Sequence, residues 1–225
     1  MQKHYAPNLK ILSHVENLCN DKAKILELGP GQTPFSKATH FCGWDQGSQK
    51  IDEHKHAVCD FSTQSLPYAD KEFDFIYCRH VLEDLYNPFL LVEEMSRVGK
   101  AGYIETPSPA AELCKNIDSG DTDVPWRGYH HHNFLVWVYE HKLCFARKFP
   151  IVEYAFKLEE EKLVDYLEKT PYAWNTYMLW KDTIPYKHFQ HDVDFIITIT
   201  YGEFLIKTVL QQSLISNDNF YKNIK

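Results

Sequence analysis

Apolar positions in the first half of the chain fall into short runs, each closed by a breaker. The run 25–28 holds Ile25, Leu26 and Leu28 around one acid, Glu27, and stops at Gly29-Pro30-Gly31. Further runs over 40–44 and 56–59 end at Asp45 and Asp60, and a fourth ends near Cys78, just before R-H-V-L-E-D-L. These lengths and stops read as buried strands. From Thr33 the chain is helix-compatible, so a helix is expected after the first turn. Over 87–99 the period changes: Asn87 stands as N-cap, Pro88 at the first helical position, Leu91, Met95 and Val98 on one face, and Gly99 at the end. Glu93 and Arg97 are spaced to pair on the other face. A fifth strand, 103–107, is stopped by Pro107. Strand and helix signals thus alternate to about residue 108, which predicts βαβ units and a parallel sheet covered on both faces.

Beyond residue 108 the alternation stops. The stretch 110–123 is polar, with N-I-D-S-G-D-T-D at its centre, and reads as a loop overhanging the sheet edge or as solvated surface. Runs 134–139 and 143–149 around Glu140-His141-Lys142 predict a hairpin. A helix is expected over 159–169, with Leu163, Tyr166 and Leu167 on one face, and a strand over the alternating stretch 192–201; 203–216 fits either helix or strand.

The chemistry of the first turn depends on what it lacks. A dinucleotide loop wants a third glycine for close helix packing, and that position is Pro34; no G-x-x-x-x-G-K-[ST] lysine is present for a triphosphate. Glu27 and Asp45 would repel phosphates but suit a cofactor with a cationic centre and ribose hydroxyls. With E-L-G-P-G after the first strand, Asp45 in G-W-D-Q-G, Asp60-Phe61, and the fourth-strand segment L-P-Y-A-D-K-E-F-D-F-I-Y-C-R-H-V-L-E-D-L in order, the chain resembles the class I S-adenosylmethionine-dependent methyltransferases of the type 11 kind. The resemblance implies an α/β, doubly wound, mostly parallel Rossmann-like sheet with extra C-terminal strands and helices. The length of 225 residues suits one domain over 1–225, with a cofactor-binding half, 1–108, and a substrate-side half, 109–225. The resemblance also implies S-adenosyl-L-methionine as cofactor, contacted by Glu27, Gly29, Gly31, Asp45, Gln46, Asp60, Phe61 and Arg79. Many relatives carry L-E-H after the fourth strand; here the segment is Leu82-Glu83-Asp84, so that histidine is absent.

Charge narrows the acceptor. With 24 lysines and arginines against 31 aspartates and glutamates, the formal net charge is −7, which disfavours a broad nucleic-acid surface. The N-P-P-Y or D-P-P-Y motif of amino-methylating nucleic-acid enzymes is also missing. Six cysteines without a C-x-x-C pair read as buried reduced thiols, and no signal peptide or membrane span is evident, so a cytoplasmic location is expected.

Methyl transfer from a sulfonium mainly needs a nucleophile held in line and water kept away, plus a base where a hydroxyl must lose its proton. Histidine suits that task at neutral pH. The candidates are His80 and His131. Arg127 is placed to clamp an acidic group, with Tyr129 and His132 as further substrate contacts. Three consecutive histidines in an extended segment cannot easily meet one ion, so no metal is expected. The expected reaction is O-methylation of a small hydroxyl-bearing metabolite or sugar. The alternatives are a cofactor-binding module without turnover and a protein or peptide methyltransferase.

Overall fold

The computed structural model describes residues 6–44, 55–115, 117, 126–148, 160–189 and 195–224. The chain forms two compact units: Lys10–Glu105 with Met178–Pro185, and Met1–Leu9 with Thr106–Tyr177 and Tyr186–Lys225.

The first unit contains β1 (Ile25–Leu28), β2 (His40–Gly43), β3 (His56–Val58), β4 (Phe75–Arg79), most of β5 (Ala101–Pro107) and the end of β8 (Asn175–Lys181), in the order β3-β2-β1-β4-β5-β8. The pairs β1–β2, β2–β3, β1–β4 and β4–β5 are all parallel. β1 is buried along its whole length, as a strand between two parallel neighbours must be. The order runs outward from β1 in one direction and from β4 in the other, so the sheet reverses between them. In such sheets a crevice opens outside the carboxyl ends of the strands at that reversal.

Helix α1 (Leu9–Leu18) buries Ile11 and Val15, one turn apart. Helix α2 (Pro88–Val98) follows its predicted bounds and buries Leu91, Met95 and Val98. Two details differ from expectation. Asn87 makes no side-chain cap, because its backbone lies at φ −132°, ψ 82°. Arg97 turns to Glu94, at 2.6 and 2.8 Å, and to Asp70, at 2.9 Å, a fork-to-carboxylate geometry that the Glu93 spacing did not suggest. Gly99 ends α2 in an extended conformation; a Cβ there would lie 2.6 Å from Ile76 and 3.0 Å from the Trp180 ring, so the glycine makes room.

The helix expected from Thr33 does not form: the whole connection 29–39 is turn and coil. It is shorter than the dozen or so residues a helical crossover usually takes, and Pro34 removes a backbone donor inside it.

The second unit holds a three-stranded sheet, β6 (Phe134–Tyr139), β7 (Lys142–Arg147) and β9 (Tyr186–Phe189), with β6–β7 antiparallel and β7–β9 parallel. Glu140 and His141 both have positive φ, 49° and 59°, which is the signature of a two-residue type I′ hairpin turn made here without glycine. The short helix α3 (Pro109–Glu112), helix α4 (Glu160–Lys169) and a 3₁₀ turn at Pro171–Trp174 enclose a core of Ala110, Ala111, Cys114, Leu167, Ala173 and Trp174. Helix α5 (Phe195–Asn223) closes the unit. The strand expected over 192–201 is thus helical from Phe195 onward. Its Ile-Ile-Thr-Ile-Thr run is rich in β-branched residues, but β-propensity yields to context. Further along α5, Ile206, Val209, Ser213 and Asn217 are buried at helical spacing, and Gln212 accepts from the Trp137 indole at 2.9 Å.

Candidate active site

The crevice between β1 and β4 is built by two turns. After Leu28, Gly29 adopts φ +63°, and a Cβ there would lie 2.5 Å from Val81 Cγ2. The β1 turn therefore rests against the turn that follows β4, and only glycine allows the approach. Gly31 is different: among the described residues nothing lies within 4 Å of its Cβ position. Glu27, 4% exposed, closes the turn from inside, its Oε2 accepting the Phe35 N–H at 2.9 Å. Burial pushes the Glu27 carboxyl up to about 7, against the opposing pull of the Phe35 N–H and the Arg79 charge. The Phe35 ring stacks on Tyr77, centroids 4.2 Å apart.

At the carboxyl ends of β4 and β5 the parallel register sets Arg79 opposite Glu105. Arg79 Nε lies 3.1 Å from Glu105 Oε1, and Tyr103 donates to Glu105 Oε2 at 2.6 Å. Burial would lower the Arg79 pKa, but Glu105 and Tyr77 raise it above its ordinary value. His80 follows in the left-handed region at φ 54°, its N–H donating to Glu105 O at 2.8 Å. Its Nδ1 is 3.3 Å from Glu83 Oε1 and its Nε2 3.9 Å from Glu105 Oε1, and both ring nitrogens are closed to solvent. Glu83 and Glu105 are themselves 1% and 3% exposed. A non-glycine residue held left-handed beside buried charges is the kind of strain that collects at functional sites.

The remaining expected cofactor residues fall as follows. Asp45 and Gln46 lie outside the described residues. Asp60 accepts from Ser62 N at 2.9 Å and from the Thr63 hydroxyl at 2.7 Å, holding its own turn just past β3. Phe61 is buried beside it in the chain.

In the second unit Arg127, Tyr129 and His132 are interior residues, at 3%, 1% and 5% exposure. Arg127 donates to Leu113 O at 2.8 Å. His132 Nδ1 meets Glu112 Oε1 at 2.5 Å, and Lys148 Nζ meets Glu112 Oε2 at 2.9 Å. Burial raises the Glu112 pKa, but Lys148 and His132 outweigh it and hold the carboxyl below its usual range. His131 is exposed, its ring 4.5 Å from that of His132.

Sequence reasoning missed Glu83, Glu105 and Tyr103. The available signal was a lone charge near the end of two neighbouring apolar strands, Arg79 on one and Glu105 on the other.

Residues 29–104, about a third of the chain and starting just after β1, match the family described as methyltransferase domain. This stretch is similar to a methyltransferase domain. The cofactor that this likeness implies is S-adenosylmethionine, and the described residues at the crevice fit it: a glycine turn after β1 and acids around the switch point. Solved structures similar to the chain include an S-adenosylmethionine-dependent methyltransferase of Thermotoga maritima, 21% identical over 46% of this chain and 52% of that one, with a TM-score of 0.36. Another, from Mesorhizobium loti, is 13% identical over 47% and 57%, TM-score 0.34. A complex of a Haloferax volcanii methyltransferase with the activator Trm112 is 15% identical over 76% and 89%, TM-score 0.41. The chain spans about half the length of the first solved structures it matches. No curated protein matches the sequence.

Proposed function

We propose that the protein transfers a methyl group from S-adenosylmethionine to a small, hydroxyl-bearing acceptor. The observation carrying this reading is that the methyltransferase-domain match covers the turn after β1 and the strand and turn of β4, the two sides of the switch point. The bound cofactor supplies an already activated methyl group. The chain's own residues then have to hold the cofactor, place the acceptor oxygen in line and keep water out. Gly29 and Gly31 let the backbone approach, Glu27 fixes their turn, and Asp45 is proposed to take the ribose hydroxyls, with Gln46, Asp60, Phe61 and Arg79 completing the seat. For proton removal His131 is the proposed base, because its ring is exposed whereas the His80 nitrogens are buried. Tyr129, Arg127 and His132 shape the segment that carries it.

The net charge of −7 supports a small acceptor over a nucleic acid. Among the described residues no helix is long and apolar enough to cross a membrane. A cofactor-binding module without turnover is the second reading, favoured by the closed ring of His80.

Calorimetry with S-adenosylhomocysteine tests the seat: Asp45→Ala should weaken binding strongly, and unchanged affinity removes the ribose assignment. A screen of metabolite extracts with methyl-labelled cofactor tests the reaction. Label appearing in a small product supports the enzyme, label in protein moves the acceptor class, and binding without transfer favours the module.

A further inference from the structure

The connection after β1 is exposed over residues 31–34 and pinned on either side of them. On the near side the Gly29 N–H donates to Cys42 O at 2.8 Å, and the glycine packs on Val81. On the far side stands Phe35, 5% exposed and the only buried residue of 29–39. Two residues hold it: Glu27 Oε2 accepts its N–H at 2.9 Å, and the Tyr77 ring stacks on its ring with centroids 4.2 Å apart and planes 1° from parallel. Glu27 and Tyr77 are register partners on β1 and β4. Neighbouring strands thus supply one hold on the backbone and one on the ring. Tyr77 is backed in turn by Tyr103, its register partner on β5, at 5.5 Å between centroids. Beyond Phe35, Ser36 bonds to Glu16 and Lys37 pairs with Asp21, but these contacts lie at the surface, where water competes for them and they contribute little.

We propose that Tyr77 is a positioning residue for the cofactor, its ring seating Phe35 and thereby holding the exposed arch 31–34 in the shape that meets S-adenosylmethionine. The connection has no helix, so no ladder of i to i−4 bonds fixes the arch from within. Its shape is set from its ends, and the stack secures one of them. An aromatic pair changes an equilibrium by up to about tenfold beyond the effect of the area it buries, so its loss is readable in binding while the sheet stays folded. Tyr77 acts through Phe35, and the ring, not the hydroxyl, carries the role. The inference rests on the proposed cofactor seat at that loop.

Two measurements test it. Hydrogen exchange of the protein without cofactor reads the stack itself: in Tyr77→Leu the Phe35 amide should exchange about tenfold faster than in wild type, while the Met95 amide in α2 keeps its rate. Tyr77→Phe, which keeps the ring, should leave both rates unchanged. Unaltered exchange at Phe35 in Tyr77→Leu, or a rise shared equally by Met95, overturns the proposal whether or not cofactor binds. Calorimetry with S-adenosylhomocysteine reads the consequence. Phe35→Leu, which breaks the same stack from the loop side, and Tyr77→Leu should each weaken binding about tenfold, and the double variant no further than either single, because one stack is lost in all three. Tyr77→Phe should bind as wild type. Additive losses in the double variant, or a loss in Tyr77→Phe as large as in Tyr77→Leu, overturn it. Failure of the wild type to bind S-adenosylhomocysteine would sink the cofactor seat and leave the exchange rates to decide on the stack.

Discussion

Val81 Cγ2 occupies the space into which a side chain on Gly29 would have to grow, 2.5 Å from the Cβ position. The turn after β1 and the turn after β4 are therefore one packed object, and a change in either should reach the other. Gly29→Ala must meet both this contact and φ +63°, and should destabilise the protein by roughly 1–3 kcal/mol in denaturant unfolding. Val81→Ala added to it should return the part due to crowding and leave the part due to the backbone.

Gly31 makes the opposite case. With nothing near its Cβ, Gly31→Ala should leave stability within about 0.5 kcal/mol of wild type. Its effect should fall on S-adenosylhomocysteine affinity measured by calorimetry. Equal affinity in this variant would show that the cofactor does not approach the turn at that point.

Glu27 predicts a pH dependence of defined sign. Its carboxyl binds a proton more tightly folded, at about 7, than at its ordinary 4.5. The folded state therefore holds the extra proton between those values, and stability falls as pH rises through that window. Glu27→Gln keeps an acceptor for the Phe35 N–H and should flatten this slope, with a gain on the order of 3 kcal/mol at pH 8 as the upper bound. Thermal unfolding at pH 5, 6, 7 and 8 reads it directly, and an unchanged slope would place the titration elsewhere.

In the second unit the Glu112 carboxylate is enclosed with Lys148 and His132. Lys148→Met leaves a buried carboxylate short of its main cation and should cost about 3–5 kcal/mol. Glu112→Gln/Lys148→Met should recover much of that, and the coupling between the two changes is the quantity to measure. Because the Glu112 pKa is lowered, the contribution of this cluster is complete above pH 4.5 and lost as pH falls below it.

The strands β1 to β5 were legible to within about two residues because each is an apolar run cut off by glycine, proline or an acid. Helix α2 was legible for the same reason, its proline and glycine marking both ends. The missing helix after Gly31 was not legible, since Thr33 onward is compatible with helix and only the short distance to β2 decides against it. Over 195–201 the β-branched residues pointed to strand, and the residues that make α5 a helix stand further along, at Ile206, Val209 and Ser213. At the site, Glu27 and the glycines are local in sequence and could be read there. The Arg79–Glu105 pair depends on the β4–β5 register, a long-range fact that no local pattern carries.

The helix-free crossover 29–39 has a consequence for selectivity. Where a helix begins at such a turn, its amides and dipole offer a seat for a pyrophosphate. Here that seat was never built, and Glu27, buried at the base of the turn, adds negative charge as pH rises through about 7. A nucleotide bearing phosphates would lose its usual anchor and gain repulsion, whereas an adenosyl sulfonium gives up nothing. On the proposed cofactor seat, the loop would thus discriminate between adenine-bearing cofactors by omission, without a contact devoted to rejecting the phosphorylated ones.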